Sequence, residues 1–175
     1  MLHLIPRRLH RAVLRCAHLL RGAWWRLNGS QVTGCRLIAL DPQGRVLLVR
    51  HSYGSGRWMP PGGGLRKGED AISAAQRELR EETGCSLLAP RLVTIAEEKL
   101  HGARHVVHIV GGEVRDKPQV DGREVIKAAF FRPEALPKEM PQHLRVRMRG
   151  WITAAIAARP ADAAALPPLP QAPTA

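Results

Sequence analysis

Between residues 6 and 28 the apolar side chains Leu9, Val13, Cys16, Leu20 and Trp24 recur at three- and four-residue steps, with Arg8, Arg11, Arg15 and His18 elsewhere on the wheel. That spacing predicts an amphipathic helix, with Pro6 suited to its start and Asn28-Gly29 to its end. From Gly34 the pattern shortens. Two β-rich runs flank Asp41-Pro42-Gln43-Gly44, a turn sequence with Pro second and Gly last, and a β-hairpin is expected. The next stretch, residues 51–64, has no periodicity and many turn formers, so it reads as loop with Trp58 as an anchor candidate. Asp70 can cap a helix that runs to about Thr83 and stops at Gly84.

Further strands are expected over residues 91–96, 105–110 and 124–131. Pro133 and Pro137 break the chain before a last helix, about 143–158, whose Leu144, Met148, Trp151, Ile152 and Ala155 share one side. The order of elements is mixed α/β and predicts an α/β/α layering, with a mixed sheet sandwiched between helices. At 175 residues the chain suits one domain with one good core. The organisation expected is a basic amphipathic helix over 1–28, a folded domain over 29–159 and a disordered Pro- and Ala-rich tail over 160–175.

Charge sharpens this picture. The net charge is +12, and residues 1–40 hold seven Arg with no Asp or Glu, so the basicity belongs mainly to the front end. An anionic partner suits that distribution. For the first 28 residues three readings compete: a helix packed on its own domain, a peripheral contact with an anionic membrane, and a targeting presequence. Three widely spaced cysteines, Cys16, Cys35 and Cys85, make no disulfide framework or metal-binding pair, so a reducing, cytoplasmic setting is the default. The sequence holds no apolar run of eighteen residues, so no membrane-spanning helix is expected, and Arg interrupts what a secretory signal would need.

The acidic residues are few and crowded. Glu78, Glu81 and Glu82 fall within an arc of about 100° on the second helix. Carboxylates so close raise one another's pKa and weaken the helix unless a cation neutralises them. Oxygen-only ligands favour Mg²⁺ or Mn²⁺ over Zn²⁺. Gly62, Gly63 and Gly64, just before the helix, allow close approach of backbone to an ion or phosphate, and Arg77 can orient carboxylates through its planar fork. His101, His105 and His108 have the wrong spacing for a clean ligand pair, since alternate strand residues face opposite ways.

From Gly63 the chain reads Gly, five residues, Glu69, seven residues, then Arg77-Glu78-Leu79-Arg80-Glu81-Glu82-Thr83-Gly84-Cys85. This resembles the signature box of the Nudix hydrolases. Every prescribed charged residue and glycine is present; Cys85 replaces the last large apolar residue and can do the same packing. The resemblance implies a mixed sheet sandwiched by helices and Mg²⁺-dependent hydrolysis of a nucleoside diphosphate linked to another moiety, of the ADP-ribose, dinucleotide or nucleoside triphosphate type. Carried onto this chain, Glu78, Glu81 and Glu82 with the Gly63 carbonyl would bind metal, while Glu69 and Arg77 brace the loop and orient Glu78. Glu82 is the first candidate for the general base; Glu98 and Glu97, expected in a loop after a strand, and Glu124 are alternatives.

Substrate contacts would lie outside the box. Trp58 or Tyr53 could stack on a base, and Arg50, His51, Arg57 or Arg104 could meet phosphate. A rival from another class is a catalytically silent nucleotide-sensing or RNA-binding domain that uses the basic front end. Intact glutamates disfavour it, and nucleic acid is not the expected partner. Members of the family often form homodimers, so self-association is compatible with the resemblance.

Overall fold

The computed structural model describes residues 32–100, 103–120 and 122–159. The expected helix over 1–28 and the tail over 160–175 lie outside the described residues, as do His101 and the side chain of Arg104. In chain order the elements are β1 (Val32–Leu40), β2 (Val46–His51), β3 (Trp58–Met59), α1 (Ala71–Thr83), β4 (Leu88–Leu100), β5 (Ala103–Glu113), β6 (Val125–Phe131), a 3-10 turn (Pro133–Ala135) and α2 (Gln142–Ala157).

All six strands join one mixed sheet. β1 runs parallel to β5 over nine residue pairs, from Val32 opposite His105 to Leu40 opposite Glu113. Parallel neighbours need a crossover, and α1 lies within the one that joins them. The expected hairpin forms only beside its turn. Its turn closes with Asp41 N–H to Arg45 O and Gly44 N–H to Asp41 O, both 2.9 Å, yet Leu40 opposite Val46 is the β1–β2 register pair. Beyond that point β2 pairs along its length with β6. The strands splay because β2 has a better partner elsewhere.

Alternation along the strands builds two cores, as period-2 side-chain geometry requires. Cys35, Leu37 and Ala39 of β1 join Ala74, Ala75, Leu79, Cys85 and Leu87 on the α1 side. Ile38 and Leu40 join Leu144, Met148, Trp151, Ile152 and Ala155 on the α2 side. The layering is therefore the α/β/α sandwich that the sequence predicts. The apolar stripe expected on the last helix is the face that α2 buries, and Cys85 is fully buried at its box position.

Three expectations change. The stretch 51–64 is not wholly loop: Trp58 and Met59 form β3, opposite Arg50 and Val49 of β2. β4 extends to Leu100 and so carries Glu97 and Glu98 within a strand rather than in a loop after one. Its partner β5 is also longer than expected, because the two strands pair as far as Leu100 opposite Ala103. Long antiparallel partners extend one another beyond what local β propensity indicates.

Leu79 seats α1 on the sheet and is fully buried. Leu79→Ala is expected to lower unfolding free energy by about 2–5 kcal/mol, the range for a buried leucine truncation. Urea unfolding of both proteins measures this.

Candidate active site

α1 begins where sequence chemistry says it should. Asp70 accepts the N–H groups of Ile72 and Ser73 at 2.9 and 3.0 Å, and Gly84 ends the helix at φ 69°, a left-handed conformation that suits glycine. The glycine loop before it is tied to β1, along the edge that the splayed hairpin leaves open. Cys35 N–H donates to Gly63 O and Leu37 N–H to Pro61 O, both at 2.8 Å, while Leu65 N–H donates to Thr33 O at 3.2 Å. Gly62 makes this approach possible. Its φ is 146°, and a Cβ there would run into the Cys35 carbonyl. At Gly63 a Cβ would occupy the place of the Glu78 carboxylate, so backbone and carboxylate lie against each other.

Arg77 organises the acidic residues. Its Nε and one terminal nitrogen reach the two Glu69 oxygens at 2.8 Å each, and the second of these also donates to Gly64 O at 3.1 Å. The other terminal nitrogen meets Glu78 at 2.7 Å and Glu81 at 3.4 Å. Arg66 adds a backbone N–H to Glu69 at 2.8 Å and a side-chain contact to Glu81 at 3.2 Å. The three glutamates thus do not stand as one uniform ridge. Glu81 is outermost at 53% exposure, Glu78 is at 16%, and Glu82 is at 5%.

Glu82 turns inward to His51. Its Oε1 lies 2.7 Å from His51 Nε2, and its Oε2 accepts the Gly62 N–H at 3.2 Å. Burial drives the Glu82 carboxyl upward in pKa despite the His51 bond. Burial pulls His51 the other way, but the Glu82 hydrogen bond and charge, with Glu124 and Glu78, outweigh it and hold the imidazole above its ordinary value. With both partners shifted upward, the pair retains a proton more tightly than either group alone. Glu78 is also raised, by burial against the opposing pull of Arg77. Glu69 is the reverse: hydrogen bonds from the Arg77 side chain and the Arg66 backbone hold its carboxyl down at about 2.

The alternative acidic residues separate clearly. Glu98 lies between Arg36 at 2.6 Å and Arg147 at 3.1 Å; burial is outweighed by these cations and its carboxyl is lowered. Glu97 is exposed on the same strand. Glu124 accepts the Tyr53 hydroxyl at 2.7 Å, and its charge raises both His51 and Glu78. Of the three, Glu124 is the one whose charge is among the main causes of the shift at Glu78. Trp58 does not stand free for a base: it meets Phe131 edge-on at 4.9 Å, packs against the α2-side core and lies under Arg50 at 5.8 Å.

The oxygen donors Glu78, Glu81, Glu82 and the Gly63 carbonyl come from one helix face and the loop that leads into it. A carbonyl has two lone pairs, so the Cys35 bond leaves Gly63 one to offer. The donor set is all oxygen and fits a hard divalent cation. Among the described residues, no three His, Cys, Asp or Glu side chains converge closely enough to cage an ion as they stand, because Arg77 and His51 engage the carboxylates individually. His105 and His108 join no such group either.

A family model of the NUDIX domain matches residues 32–152. The chain belongs to the Nudix hydrolase family. Among curated relatives, this Nudix chain is 28% identical over 110 residues to the human (Homo sapiens) 8-oxo-dGDP phosphatase NUDT18, a match covering 61% of this chain and 34% of that protein. It therefore spans about a third of that relative's length. An RNA pyrophosphohydrolase of Teredinibacter turnerae is 44% identical over 48 residues, which cover 27% of this chain and 28% of that protein. The fold is similar to a crystal structure of the MutT Nudix hydrolase from Burkholderia pseudomallei, with a TM-score of 0.60 and 23% identity over 68% of this chain and 96% of that one.

His51 as the partner of Glu82 is what sequence reasoning missed in this Nudix site. The two are 31 residues apart, and the local signal, a histidine closing a strand, pointed only to phosphate. His51→Ala is expected to cost about 3 kcal/mol, because it strands a buried carboxylate, and His51→Gln should recover part of that by offering an N–H. Urea unfolding at pH 7 reads both. Glu69 sets an acid limb. Its ordinary value is 4.5 and its folded value about 2, so its stabilisation is complete above pH 4.5 and is lost as pH falls toward 2. Glu69→Gln should lower the melting temperature at pH 7 and flatten its fall across that window.

Proposed function

We propose that this Nudix domain is an enzyme that hydrolyses the pyrophosphate bond of a nucleoside diphosphate linked to another moiety, with Mg²⁺ or Mn²⁺ as cofactor. One observation carries the reading: Arg77 gathers Glu69, Glu78 and Glu81 against the backbone of Gly63 and Gly64, with Glu82 fixed beside them. The relatives named as an 8-oxo-dGDP phosphatase and an RNA pyrophosphohydrolase support a nucleotide-derived substrate.

Glu78, Glu81, Glu82 and the Gly63 carbonyl are the residues that would hold the cation. When bound, such an ion neutralises the phosphate oxygens that repel a nucleophile and lowers the pKa of water. The chain's own residues do the rest. Arg77 and Glu69 fix the loop against the helix, so that the carboxylates and the Gly63 carbonyl keep one geometry. His51 and the Gly62 N–H hold both oxygens of Glu82 and limit its rotation.

The proton from the attacking water needs an acceptor within reach. Glu82 was the leading candidate on sequence, but both its oxygens are engaged and its carboxyl is buried. Glu124 is exposed, close enough to raise Glu78, and bonded through one oxygen to Tyr53. That combination supports Glu124 as the base and Glu82 as a holding carboxylate. Glu98, between two arginines, supports neither role.

A panel of nucleotide diphosphate derivatives with Mg²⁺, read by phosphate or nucleotide release, tests the proposal. Glu78→Gln and Glu82→Gln are expected to lower kcat at least about 100-fold, and Glu124→Gln by about 100- to 10,000-fold, the range for loss of a general base. Activity indifferent to all three changes would sink the assignment. Nucleotide binding without turnover of any panel member by the unaltered protein would favour the silent, sensing alternative.

A further inference from the structure

Leu92 and Ile95 stand exposed at 47% and 53% on β4, an edge strand of the sheet. Register fixes the side they occupy. Leu37 of β1 lies opposite Val110 of β5, and Val110 opposite Leu92; the next row is Cys35, His108 and Ile95, and the row after it Thr33, Val106 and Glu97. A register shift between Leu92 and Thr94 lets Leu92 and Ile95, three residues apart, share one side. Leu37, Cys35 and Val110 pack with α1, so all three rows belong to the α1 side of the sheet. Burial falls off across them. Leu37, Cys35 and Val110 are buried, Thr33, Val106 and His108 are half-buried, and Leu92, Ile95 and Glu97 are exposed. Among the described residues, α1 covers one corner of this side and leaves the corner formed by β4 and the start of β5 uncovered.

The chain enters the sheet at that same corner. β1 and β5 run parallel from Val32 opposite His105, so residues 1–31 lead into the end of β1 nearest the uncovered rows. From Val32 to Ile95 is about 14 Å, taking about 3.3 Å per residue along β1 and about 4.8 Å for each of two strand spacings. Residues 29–31 extended reach about 10 Å, and a helix is itself about 10 Å wide, so the segment before them arrives without strain. Its pattern suits the face it meets. At about 100° per residue, Leu9, Val13, Cys16, Leu20 and Trp24 share an arc of about 80°, Leu27 falls inside it, and Arg8, Arg11, Arg15 and Arg26 fall outside. β4 from Leu92 to Glu97 is about 17 Å long, which about eleven helical residues span; the stripe from Cys16 to Leu27 has that length. Glu97 places a carboxylate at the rim, toward a segment whose charges are all basic. A tether this short holds the segment at an effective concentration on the order of millimolar, ahead of any free partner of similar chemistry.

We propose that residues 6–28 dock as a helix on the α1 side of the sheet, against Leu92, Ile95 and Val106, beside α1. The apolar stripe turns inward and the arginines face water. Of the three readings open for the front end, this selects the helix packed on its own domain, and the basic charge becomes part of the domain surface.

Maleimide labelling of the full chain tests this, because Cys16 lies in the stripe while Cys35 and Cys85 are buried at 3% and 0% and report whether the domain is folded. Cys16 is expected to react at least tenfold more slowly than in the chain unfolded by urea. Leu92→Glu/Ile95→Glu should restore most of that rate with Cys35 and Cys85 still unreactive, whereas Val146→Glu, on α2 at 68% exposure, should leave Cys16 slow. If the first pair exposes the buried thiols by unfolding, Leu20→Glu/Trp24→Glu, within the front segment itself, gives the same reading. A Cys16 that reacts at the unfolded rate in the unaltered protein overturns the proposal, as does protection indifferent to these changes in folded variants. Protection that grows with protein concentration gives the face to a second copy, and protection gained only with phosphatidylserine vesicles gives the stripe to a membrane; either result overturns it as well.

Discussion

One guanidinium holds the acidic site together. Arg77 is only 16% exposed and meets three carboxylates and a backbone carbonyl. Exposed ion pairs contribute little, but a planar donor satisfied on all sides in a half-buried place fixes geometry as well as charge. Without it Glu78 and Glu81 would repel each other on one helix face, and Glu69 would have no reason to hold the loop. The loop in turn reaches β1 through Gly63 and Pro61, and α1 reaches the sheet through Leu79. Sheet, loop and helix thus converge on the same side chain.

The splayed hairpin is the second constraint. By turning to β6, β2 frees an edge of β1, and the glycine loop occupies it. Backbone amides that would otherwise pair strand with strand instead hold the carbonyls of Pro61 and Gly63. Such a loop cannot drift from the sheet without leaving buried polar groups unpaired. The same departure carries His51 to the glutamates and Arg50 to the opposite face.

The glutamates show how charge is managed in a basic chain. Glu69, Glu78 and Glu82 each have a cation or backbone donor, and the direction of each pKa follows from how much burial opposes that partner. Glu69, facing Arg77 with both oxygens, is lowered. Glu78 and Glu82, deeper in the fold, are raised although each has a cationic partner. Glu78 and Glu82, which lie against Gly63 and Gly62, are thus the least comfortable as bare anions.

What was legible in the sequence is local. The cap at Asp70, the stop at Gly84 and the buried stripe of α2 follow from steps of three and four residues and from single-residue backbone preferences, and helix geometry places Glu78, Glu81 and Glu82 within one arc. Tertiary structure decided the rest: that β1 takes β5 as its parallel neighbour, that Glu82 faces His51 across 31 residues, and that Glu98 is consumed by Arg36 across 62. Side-chain periodicity records which face a residue occupies within its own element. It does not record which elements become neighbours, because that choice is made by the competition among strands for partners, and no single stretch of chain contains it.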